Sequence, residues 1–160
     1  MKLYFLRHAE ASYDAPSDAE RALTGRGERR TRIAARVIAQ LGVCPDVIYS
    51  SPRRRAYQTA AIVAKALGME VTIDHGLDYD FDVDVVARLT AGLDDAAELM
   101  FVGHEPSFSE VVGDLTGADV VMKKGGLVRV DVDAFAQPLA GVLVWLIPPK
   151  VFEALAKGEE

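Results

Sequence analysis

The stretch DVIYSSPRRRAYQTAAIVAKALG, residues 46–68, holds a complete strand, turn and helix. DVIYS is apolar and β-rich, Pro52 suits a first helical turn, and Gly68 suits the exit, so a strand over 46–50 leads into a helix ending at Leu67. Comparable β-rich runs recur at KLYFL (2–6), EVTI (70–73), ELMFV (98–102), LVRVDV (127–132) and VLVWLI (142–147), with longer helical segments among them. That alternation predicts a three-layer α/β/α sandwich around a mostly parallel sheet. The last two runs are joined only by DAFAQPLAG, whose Pro and Gly mark a short connection and predict an antiparallel edge strand.

Between the first two strands, Ile33, Ala34, Val37, Ile38 and Leu41 recur at helical spacing, with Thr24 as N-cap and Gly42 as the stop. Another helix falls near 107–116. The 160 residues suit a single domain spanning 1–160, with half the residues apolar and 26% charged. Apolar runs are far shorter than the ~20 residues of a membrane span, and no basic-then-apolar leader opens the chain, so no membrane role and a cytoplasmic location are expected. The net charge of −6 excludes general attraction to nucleic acid. The single cysteine, Cys44, reads as a small buried or half-buried apolar residue.

Positive charge is nonetheless local. Three polar groups follow predicted strands: Arg7-His8, then SSPRRR (51–55 and its lead-in), then GHEP (103–106). In an open parallel sheet these carboxyl ends share one rim, where ligands bind. Arginine in a first helical turn opposes the helix dipole, a conflict that a bound anion would resolve. Two arginines, two histidines and a helix N-terminus suit a phosphoryl group, because guanidinium forks match its oxygens. Neutral imidazole, with an ordinary pKa of ~6.5, is also a competent nucleophile near pH 7. A metal site built from His8, His75 and His104 fits poorly beside arginines, and neither a nucleotide loop nor a serine elbow is present, so no metal and no cofactor are expected.

Taken together, LRHAEAS (6–12), SSPRRRAYQT (50–59) and VGHEP (102–106) resemble the R-H-G, S-S-x-x-x-R-[AT]-x-[QE]-T and second-histidine motifs of the histidine phosphatase, or phosphoglycerate mutase-like, superfamily. Length and the segment SDAERALTGRG (17–27) are most similar to its short phosphohistidine phosphatases of the SixA type. The resemblance implies His8 as the nucleophile that becomes phosphorylated, Arg7 and Arg55 as the phosphoryl clamp, and His104 as the fourth contact. Arg21 and Glu105, in the same segments, are candidates for further substrate contact, while Arg53 and Arg54 have no counterpart. Ala9 replaces the motif glycine, and Ala11 stands where mutase-like members usually carry Ser or Thr, which argues against the mutase and sugar-phosphatase branches.

A phosphomonoester benefits from a general acid. Only 44 residues lie between Thr59 and His104, and HGLDYDFDVD (75–84) offers aspartates and no glutamate. Asp78, Asp80 and Asp82 are the candidate acids. Phosphohistidine needs less help, since a protonatable imidazole leaves readily. The reading is therefore a metal-independent phosphatase acting through a phosphohistidine intermediate on a phosphorylated protein of the histidine phosphotransfer type. A phosphatase for a small phosphoester and a noncatalytic phosphate- or phosphoprotein-binding module are the alternatives.

Overall fold

The computed structural model describes residues 1–158. The last two positions of the expected 1–160 span lie outside the described residues. Strands β1 (Lys2–Arg7), β2 (Val47–Ser50), β3 (Val71–Ile73), β4 (Glu98–Gly103), β5 (Leu127–Val132) and β6 (Gly141–Ile147) form one sheet in the order β3-β2-β4-β1-β5-β6. The first four are parallel; β5 pairs antiparallel with both β1 and β6, which makes the antiparallel edge expected from the short connection.

Strand alternation sends successive side chains to opposite faces, and each face meets its own helices. Tyr4, Leu6, Ile48, Met100 and Val102 pack against α1 (Gly25–Gln40), α2 (Arg54–Leu67) and α5 (Pro149–Lys157). Leu3, Phe5, Leu99, Phe101 and Val128 pack against α3 (Val83–Thr90) and α4 (Ser107–Thr116). Phe5, Phe101 and Phe108 are fully buried at the centre of this second layer.

The Thr24 side chain accepts from the Gly27 amide, so the predicted cap forms. Gly27 is there for space. A β-carbon at this position would lie 2.2 Å from the Glu10 carbonyl oxygen, so only glycine lets α1 approach the loop that follows β1. Gly68, in the left-handed region at φ 69°, ends α2 as expected.

Two helices go beyond the sequence reading. Asp82 caps α3 through the amides of Asp84 and Val85, converting the end of the acidic stretch into a helix start. In α5 only Phe152 is buried, too little to announce a period. Cys44 corrects the sequence reading: it is exposed, because the buried neighbours Val43 and Pro45 take the inward positions of the α1–β2 loop.

Candidate active site

Parallel register builds the centre of the site. Arg7 is paired with Gly103, so His8 and His104 leave adjacent strands side by side, their ring centroids 5.3 Å apart. Ser51 leaves β2 on the other flank of β4, its amide bonded to the Val102 carbonyl. Three strand exits thus converge, as the motif positions predicted.

His8 is buried, and its Nδ1 lies 2.7 Å from the Ala9 carbonyl oxygen. A carbonyl only accepts, so Nδ1 carries the ring proton and Nε2 keeps its lone pair. Arg55 Nε donates toward that lone pair at 3.3 Å. Burial, with further repulsion from His104, Arg55 and Arg7, lowers the His8 pKa to about 3. The ring is neutral at pH 7, with its free nitrogen facing a guanidinium. The Ala9 amide donates to Thr59 Oγ1 at 3.1 Å, and the His8 carbonyl accepts from the Gly125 amide, so the backbone bearing the imidazole is held on both sides. None of the described non-glycine residues has positive φ, so Ala9 fits the motif position without left-handed backbone.

His104 is also buried, its Nε2 2.8 Å from Ser51 Oγ. Ser51 Oγ also accepts from the Arg53 amide; in the tautomer in which its hydroxyl donates to His104 Nε2, the ring N–H lies at Nδ1. That Nδ1 has no partner among the described residues, and neither does the buried Nε of Arg7. Burial and the charge of Arg55 lower the His104 pKa to about 4. The Arg7 Nε donor, and His104 Nδ1 in its protonated tautomer, lie without partners near the His8 Nε2 lone pair, an arrangement that suits an oxyanion.

The arginines are held by different means. Arg7 Nη1 donates to the Met122 carbonyl at 2.8 Å. Arg55 donates through Nη1 to the Asp18 carbonyl at 2.8 Å and through Nη2 to the Tyr79 hydroxyl at 2.7 Å and to Asp18 Oδ2 at 3.2 Å. Asp18 also receives Arg53 Nη1 at 2.7 Å, Arg21 Nη1 at 3.1 Å and the Tyr79 hydroxyl. Led by the Tyr79 hydrogen bond, these contacts hold its carboxyl well below the usual range. Arg53 lies over the Tyr79 ring at 4.0 Å, and Tyr79 lies 5.1 Å from the His104 ring.

His8, Arg55 and His104 therefore come together, with Arg7 alongside His8. Arg21 reaches this group only through Asp18, and otherwise bonds the Ser12 carbonyl at 2.9 Å and stacks on Tyr13. Glu105 accepts from the Ser109 amide and hydroxyl at the start of α4. Asp78 is bonded to Arg53; burial acts to raise its pKa, but the Arg53 hydrogen bond and charge outweigh it and keep the carboxyl below the ordinary range. Asp80 is exposed, with no hydrogen bond among the described residues, and Asp82 is committed to its cap. Arg54 is exposed. Sequence reasoning gave no roles to Ser51, Asp18, Tyr79 or Thr59. Ser51, Asp18 and Thr59 lie within the quoted motif segments, and Tyr79 lies among the candidate acids. Among the described residues, no three His, Cys, Asp or Glu side chains are grouped as a metal ion would require.

Residues 3–97 match the sequence model of the Histidine phosphatase superfamily (branch 1). An uncharacterized protein of Picosynechococcus sp. is 36% identical over 139 residues, 80% of this chain and 83% of that one. Phosphoserine phosphatase 1 of Hydrogenobacter thermophilus is 33% identical over 88 residues, 48% of this chain and 41% of that protein. Among solved structures, the protein histidine phosphatase SixA complexed with tungstate superposes with a TM-score of 0.84 at 24% identity, covering 94% of this chain and 98% of that one.

Proposed function

The chain belongs to the histidine phosphatase superfamily, and from that premise we propose that it removes phosphoryl groups from phosphohistidine on a partner protein, without a metal, through a phosphorylated His8. The observation that carries the reading is the His8 hydrogen bond to Ala9, which leaves Nε2 as a neutral nucleophile beside Arg55. Its lone pair forms the new N–P bond as the substrate P–N bond breaks, and the departing pair stays on the substrate imidazole, which takes up a proton. Arg7, Arg55 and His104, in its Nδ1-protonated tautomer, receive the charge spread over the equatorial oxygens. Water then attacks phosphorus, releasing phosphate and restoring His8.

The carboxylates support a P–N substrate. Asp78 is kept anionic by Arg53 and Asp80 projects to solvent, so neither is set up as a proton donor to an alkoxide. The fold likeness to a protein histidine phosphatase agrees with this choice. A small-phosphoester substrate remains the second reading, because one relative is a phosphoserine phosphatase over about half of this chain. The deciding experiment is turnover of phosphohistidine proteins against phosphoserine and sugar phosphates, with His8→Ala as control. The proposal expects preference for phosphohistidine, an acid-labile phosphoryl label on the wild type, and neither turnover nor label in His8→Ala. Preference for the esters by orders of magnitude would replace the substrate. Retained function in His8→Ala would make the protein a binding module.

A further inference from the structure

Behind the backbone that carries His8, a cavity of about 640 Å³ opens on the same rim of the sheet, between α1, α2 and the start of α5. Its walls include Leu6, Ala34, Val63 and Pro148, and its mouth carries Lys123, Lys124 and Lys150. Neither His8, His104 nor Arg55 lines it; Arg7 does, as do Ala9 and Thr59, whose hydrogen bond holds the backbone beside His8. A concave, mostly apolar space of this volume falls within the range of small-molecule sites.

Its charge is the informative part. Arg30 and Glu10 at the edge are matched, Arg30 by Glu153 and Glu10 by Thr24 and Arg26. The three lysines have no ion-pair partner among the described residues, although the chain carries a net charge of −6. Lys150 stands in the first turn of α5, where the helix dipole disfavours a cation, and the loop before β5 adds two more cations there. The three exposed lysines therefore leave a local positive potential at the cavity that would favour an anionic head group.

We propose that this cavity binds a small amphipathic anion, an aryl or medium-chain acyl body against Leu6, Ala34 and Val63 with a carboxylate, sulfonate or phosphate head at the three lysines. The cavity shares Arg7 with the proposed phosphoryl clamp but contains neither histidine nor Arg55, so a ligand with its head group at the lysines is distinct from the substrate of His8.

The test uses the full chain and 8-anilinonaphthalene-1-sulfonate as probe. The proposal expects saturable 1:1 fluorescence enhancement, displaced by decanoate and about tenfold less well by decanol, the summed effect of a few exposed charge contacts. Lys123→Gln, Lys124→Gln and Lys150→Gln together should weaken the probe by about tenfold, leave the thermal midpoint unchanged, and leave vanadate binding intact. Saturating vanadate should not displace it. Absence of saturable binding, equal affinity in the triple variant, equal displacement by decanol, or displacement by vanadate would each overturn the proposal.

Discussion

Lowering the pH from 8 to 5 should destabilise the protein, because two buried histidines hold back protons that the unfolded chain would accept. His8 is depressed to about 3 and His104 to about 4, against ~6.5 unfolded. A depressed histidine contributes its full stability above the unfolded pKa, and loses it as pH falls from ~6.5 toward the folded value. At pH 5, about 1.5 pH units below the unfolded value, each ring costs ~2 kcal/mol, or ~4 kcal/mol together. That is a large share of a total stability of ~5–15 kcal/mol. The depressed carboxyls of Asp18 and Asp78 contribute their own losses at lower pH, as their unfolded forms protonate. Urea unfolding in phosphate-free buffer at pH 8, 6.5 and 5 measures the effect, with His8→Asn/His104→Asn as the reference. The variant should lose most of the slope. NMR titration of the two imidazoles should show both neutral at pH 5 in the folded protein. A wild-type change below ~1 kcal/mol, or equal slopes in both proteins, would mean that the two rings are solvated rather than buried.

Thr59→Val strips the acceptor from the buried Ala9 amide and a bond to the Arg55 carbonyl, so it should cost about 1–3 kcal/mol and slow turnover. Thr59→Ser should recover both, and unchanged kcat in the valine variant would show that the clamp does not set His8. Tyr79→Phe keeps the ring on Arg53 but removes the hydroxyl from Arg55 and Asp18; kcat/KM and vanadate affinity should fall about tenfold with little change in Tm. Vanadate affinity equal to wild type would deny the hydroxyl any part in positioning Arg55. Phe108→Ala, at the contact of Phe5 and Phe81, should lower stability by about 3–5 kcal/mol, seen as a shifted urea midpoint at constant m. A loss below 1 kcal/mol would mean that the core refills around it.

The strand ends were readable because each apolar run stops at Pro, Gly, Ser or a charged residue, and three of them lead directly into motif residues. Their convergence was readable only in outline. Alternation of strands and helices says that His8 and His104 share a rim, whereas the Arg7–Gly103 register that makes them neighbours is a tertiary choice. Asp18 and Tyr79 were harder, because Asp18 opens a three-residue 3-10 helix and Tyr79 lies in a turn, where no hydrophobic period marks position. Their meeting depends on two loops, after β1 and after β3, arriving together. The short α3 and the one-sided α5 fall below the length at which a helical period stands out. Cys44 was misread because residue type alone says nothing about which of three consecutive loop residues faces inward.

The strand order has a consequence for how the protein comes into being. β4 lies between β1 and β2, yet it is made after both, so the first two strands of the nascent chain have no native partnership with each other. His8 emerges from the ribosome early, but His104 follows only when most of the chain has been synthesised. Closing a loop that long is an entropic barrier, met before the contacts of β4 return any stability. Activity should therefore appear only after β4 has entered the gap and the segment holding Met122 and Gly125 has followed it, and fragments ending before His104 should have none.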